Sequence, residues 1–75
     1  MDDIEKIRYA CEHDVPVIIT FMDGVVGVGI RIERATPNEF LIIPTKEFLE
    51  ECDKRNHDMP CIGQYEDVRY VRLME

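Results

Sequence analysis

The stretch VPVIITFMDGVVGVGIRIERA, Val15–Ala35, decides the fold. Two runs rich in β-branched residues flank Asp23-Gly24, and an Asp-Gly pair between such runs is the strongest short signal of a β-hairpin. Pro16 pushes the residue before it out of the α region, so a first strand is expected from Val17 to Phe21. A tight primed turn at Asp23-Gly24 is expected next. In the second run Val26, Val28, Ile30 and Ile32 alternate with Gly27, Gly29, Arg31 and Glu33, which predicts one apolar face and one small, then charged, face. Two glycines on one face allow the sharp bending by which a sheet curls into a small barrel.

Upstream, Asp2 or Asp3 is placed to N-cap a helix, with Asp2 and Glu5 spaced as a capping box and the acids favoured by the helix dipole. Ile4, Ile7 and Cys11, flanked by Arg8 and Ala10, predict the buried stripe of that helix. Pro16 is expected to end it. Downstream, Thr36-Pro37-Asn38 reads as a turn and Glu39–Ile43 as a third strand. Thr45 is placed to cap a short helix that buries Phe48, Leu49 and Cys52, ended by the polar stretch 53–58 and Pro60. The tail predicts a short strand, a polar turn at Glu66-Asp67 and a last strand over Val68–Met74. One mainly β domain, residues 1–75, is expected. Its order resembles a five-stranded Sm-like or SH3-like barrel with an N-terminal α-helix and a short helical insertion before the last two strands.

The composition is that of a globular chain, 45% hydrophobic and 33% charged. No apolar run approaches the roughly 20 residues of a membrane span, and MDDIEK is acidic where a signal peptide would be basic, so a cytoplasmic protein with no membrane contact is expected. Cys11, Cys52 and Cys61 are odd in number and far apart, which suits free thiols in a reducing compartment. The net charge is −7, and residues 1–14 hold five acids against two bases. Nucleic-acid affinity comes from cations that displace counterions, so no direct nucleic-acid binding is expected and a basic protein partner fits better.

Three constellations could carry chemistry. Cys52, His57 and Cys61, with Cys11 and His13 elsewhere, are zinc-type donors, but the C-x4-H-x3-C spacing lacks the paired ligands of structural zinc sites; no metal or cofactor is expected. Gly24, Gly27 and Gly29 sit in a hairpin with no following helix N-terminus to cradle a phosphate. His13 and Asp14 beside Cys11 suggest a thiol with its base, in a domain too small to shelter a reaction. The segment Cys11–Pro16 therefore reads as a corner, and a non-enzymatic role is expected.

The run DDIEKIRYACEHDVPVIITFMDG, Asp2–Gly24, resembles the start of the Rof family of small acidic bacterial proteins, modulators of Rho-dependent transcription termination. Ala10, Cys11, His13, Asp23 and Gly24 match the family's Ala-Cys-x-His corner and Asp-Gly strand end, and the likeness continues through Glu39–Ile43. Segment 45–60 departs from it, being longer and more helical than the family's strand connection. The resemblance implies transcription regulation by antitermination: an acidic surface occupies the RNA-binding region of Rho and blocks RNA. It makes Asp2, Asp3, Glu5, Glu12 and Asp14 the candidate protein-binding residues. The same acids would also cap the helix and keep a small domain in solution. Two other readings stay open: an Sm-like RNA-binding subunit, disfavoured by the charge and by the lack of an Arg-Gly pair before the last strand, and a general SH3-like interaction module. The oligomeric state is open.

Overall fold

A computed structural model describes residues 1–57 and 61–75 of the chain. In chain order it contains α1 (Asp3–His13), β1 (Val17–Phe21), β2 (Val26–Ala35), β3 (Glu39–Ile43), α2 (Lys46–Lys54), β4 (Ile62–Gln64), a 3-10 turn (Tyr65–Asp67) and β5 (Val68–Leu73). The five strands form one antiparallel sheet in the order β4-β3-β2-β1-β5. β4 and β5 are its two edges, and the sheet is open between them among the described residues. No helix among those residues is long and apolar enough to cross a membrane.

The hairpin forms where Asp23-Gly24 predicts it, with a different turn. Gly24 N–H donates to the Phe21 carbonyl and Phe21 N–H to the Val25 carbonyl, enclosing a loop of Met22, Asp23 and Gly24. Only the last of these has positive φ, at 92°, so the turn is a three-residue loop closed by a left-handed glycine rather than a two-residue primed turn. The Asp23 carboxylate accepts from Val25 N–H, the short-range bond that makes Asp a turn residue.

The alternation expected along β2 is overturned at Gly29. Val17 pairs with Ile30 and Ile18 with Val28, leaving Gly29 as an extra residue with φ 74°. This bulge shifts the side-chain phase by one position. Val25, Gly27, Ile30 and Ile32 are therefore inward and buried, whereas Val26 and Val28 lie on the outer face, 41% and 53% exposed. Further register shifts at Glu33 and Arg69 bend the sheet again.

The core draws on both helices and four strands, with Ile7, Ala10, Val17, Ile19, Phe40, Phe48 and Val71 among its buried members. Asp2 caps α1, its carboxylate accepting from Glu5 N–H at 2.8 Å. The buried face of α1 is Ile7 and Ala10; Ile4, expected on the stripe, is 41% exposed. The helix stops at His13 because Asp14 turns left-handed, φ 53°, two residues before the proline expected to end it. Thr45 caps α2 as expected, accepting from Phe48 N–H. Phe48 and Cys52 are buried, while Leu49, expected beside them, is exposed. Asp58 and Pro60, expected to help end this helix, lie outside the described residues; the helix itself ends at Lys54. The polar turn expected at Glu66-Asp67 is the 3-10 turn, and β5 stops at Leu73, one residue short of Met74.

Candidate functional site

The five acids singled out in the sequence divide into two groups. Asp2, Asp3 and Asp14 are committed within the fold. Asp2 is the helix cap. Asp3 accepts from Val71 N–H at 3.1 Å, and Lys6 on the next turn donates its ammonium to the Val71 carbonyl at 3.0 Å. These are the outward amide and carbonyl of an edge strand, and two helix side chains satisfy them where a neighbouring strand otherwise would. Asp14 accepts from the Arg31 guanidinium through both its carbonyl, 2.8 Å, and its carboxylate, 3.1 Å. Glu5 and Glu12 are exposed, and no side-chain hydrogen bond or ion pair engages either carboxylate among the described residues.

A second site assembles at the hairpin turn around one Asp–His pair. His57 Nδ1 lies 2.5 Å from Asp23 Oδ2, linking the end of α2 to the β1–β2 loop across 34 positions. The imidazole is only 11% exposed, and it packs on Phe21 at 4.7 Å between ring centroids and on Phe48 at 6.2 Å. The hydrogen bond from His57 is the main reason the Asp23 carboxyl sits below its ordinary range. A concavity of about 470 Å³ opens beside the pair, lined among others by Phe21, Asp23, Asn56, His57, Ile62 and Asp67. Its lining contains no Ser, Thr or Cys among the described residues, so the Asp-His pair has no hydroxyl or thiol beside it to activate.

The thiols are dispersed. Cys52 is buried in the core, and burial pushes its thiol up, which disfavours the thiolate needed for attack or ligation. Cys61 is exposed and Cys11 half-buried. His57, grouped with the cysteines in the sequence, is turned to Asp23 instead. No three His, Cys, Asp or Glu side chains come together as a metal site among the described residues. The corner at Cys11–Pro16 carries His13 packed at a tilt against Tyr9, ring centroids 4.3 Å apart.

Comparison of the chain with protein-family models, with curated proteins and with solved structures yields no match in any of the three.

Proposed function

We propose that the chain is a non-catalytic acidic regulator that docks on a basic, RNA-binding surface of a protein partner, the role implied by its resemblance to the Rof family, with Rho as the partner. The observation that carries the reading is the division of labour on α1. The helix docks through Ile7 and Ala10 and leaves Glu5 and Glu12 exposed and unengaged, on a chain of net charge −7. All five acids, Asp2, Asp3, Glu5, Glu12 and Asp14, belong to the proposed surface; Glu5 and Glu12 are the two whose carboxylates make no bond within the fold, while the other three each accept one hydrogen bond and keep further acceptor sites. The strand order, with β4 and β5 joined by one 3-10 turn and the sheet bent by three register shifts, supports a small Sm-like barrel left open between its edges. A cytoplasmic location suits such a partner.

Titration against purified Rho tests the reading. The double variant Glu5→Lys, Glu12→Lys is expected to bind Rho more weakly than the wild type, with an unchanged fold by circular dichroism. Association of the wild type is expected to slow as salt rises past about 0.15 M, where the screening length is about 8 Å. Failure of the wild type to bind Rho, or to displace a pyrimidine-rich RNA from it, overturns the assignment.

A further inference from the structure

Net charge conceals how the charges are arranged. None of the residues of β1, of β5, or of β2 up to Arg31 is acidic, although the chain carries 16 Asp and Glu. The registers place two rows of these residues side by side on the outer face: Arg72 beside Ile18 beside Val28, and Tyr70 beside Thr20 beside Val26. The intervening row, Val71, Ile19 and Gly27, is buried, which fixes the first two rows as outward. Tyr70 is 52% exposed and Val28 53%. The Lys6 ammonium lies 5.4 Å from the Tyr70 ring centroid, and Arg69, the extra residue of the β5 register shift, is exposed next to it in the chain.

We propose that this outer face of β5, β1 and β2 binds single-stranded nucleic acid, with Tyr70 as the stacking platform and Arg72, Arg69 and Lys6 as phosphate contacts. An exposed aromatic ring set among cations on a rigid antiparallel sheet is what sequence-tolerant single-strand recognition requires, since every base has a π-face and every linkage a charge. Lys6 spends one of its three donors on the Val71 carbonyl and keeps the others for a phosphate. One carboxylate borders the face, Asp3, and it is engaged by the Val71 N–H between Tyr70 and Arg72; acids farther off on the molecule do not forbid binding. Its extents are 30 × 22 × 17 Å, and charges farther away than the screening length of about 8 Å at 0.15 M salt are largely silent at the face. Size argues in the same direction. Three strands about 4.8 Å apart and two outward rows give a platform roughly 14 Å square, on the order of 200 Å². A folded protein partner, or a second copy, needs about 800 Å² per side, whereas two or three nucleotides need no more than this face offers.

Fluorescence anisotropy of labelled U10 and dT10, with no other protein present, tests the proposal separately from the Rho titration. Three phosphate contacts on a single strand predict about a twentyfold loss of affinity between 50 and 200 mM salt. Tyr70→Ala is expected to weaken binding by about tenfold and Tyr70→Phe to preserve it, because the ring, not the hydroxyl, stacks. Arg72→Gln is expected to flatten the salt slope by about 0.7, and Lys54→Gln, on α2, to leave affinity unchanged. Both face residues are exposed, and circular dichroism checks that the variants fold. U10 binding tighter than dT10 assigns RNA, and equal binding assigns single strands generally. The proposal is overturned if neither oligonucleotide binds, if binding is indifferent to Tyr70→Ala and Arg72→Gln, or if a labelled octaglutamate peptide binds as tightly as the oligonucleotides, which would assign the face to an acidic polypeptide.

Discussion

The two helices are fastened to the same sheet by different means. α2 is held by an apolar plug: Phe48 enters the space above Gly27, so closely that a β-carbon added there would lie 2.8 Å from its ring. α1 also buries apolar residues, Ile7 and Ala10, but adds polar bonds at its first turn, with Asp3 and Lys6 gripping the outward amide and carbonyl of Val71. The difference follows from what each helix covers. α2 packs on β2, an interior strand whose backbone is already paired and which can offer only apolar surface and a missing side chain. α1 packs on β2 too, and its first turn reaches β5, an edge strand with backbone groups to satisfy. Acids at a helix N-terminus therefore serve the dipole, the cap and a strand edge at once, and fewer of them remain for a partner than their number suggests.

The sharpest way to break this contrast is at the plug. Phe48→Ala is expected to cost about 3–5 kcal/mol by urea unfolding, a large fraction of the stability of so small a domain. Gly27→Ala is expected to cost about 1–3 kcal/mol through overpacking, and less in the Phe48→Ala background, where one of its two close neighbours is gone. Ile30, the other, keeps the second cost above zero, its side chain 2.9 Å from the added carbon. Additive costs in that cycle would show that Phe48 and Gly27 do not bear on each other.

At the polar fastening the expected effect is smaller. Asp3→Ala loses the bond to Val71 N–H and is expected to cost about 1.5 kcal/mol, whereas Asp3→Asn keeps an acceptor and loses only part of it. Hydrogen exchange reads this locally: the Val71 amide is expected to lose protection in Asp3→Ala while the amides of β3 do not. Equal loss across the sheet would mean that α1 contributes by burial alone.

The smallest effect is at the loop between the two fastenings. Because the folded-state pKa of Asp23 is depressed, its stabilising contribution is complete above the unfolded value of about 3.9 and is lost as pH falls through the folded value. The stability difference between wild type and Asp23→Asn is expected to shrink as pH falls below about 4. Thermal unfolding across that range measures it, and a difference that persists at pH 3 would place the effect in the loop backbone rather than in the bond to His57.

Much of the chain was legible residue by residue, because the signals are local. Asp2 and Thr45 cap their helices as expected, β1 and β3 have the expected bounds, and Asp23-Gly24 turns the hairpin. Each depends on one side chain bonding a backbone group two or three positions away, or on a φ angle that glycine tolerates, and neighbours in sequence suffice to decide it. Tertiary structure alone decided the rest. A strict alternation over Val26–Ile32 cannot reveal that Gly29 will bulge, since the bulge exists only relative to the partner strand; that one extra residue turned Val26 and Val28 outward, onto the same face as Tyr70. Nor does an acidic first turn show which carboxylate will meet a strand 68 positions away, as Asp3 does, or which aspartate will receive His57. Caps and turns are settled by chain geometry within a few residues, whereas the use of a side chain across the fold is settled by which backbone groups and rings are left unsatisfied once the sheet has formed.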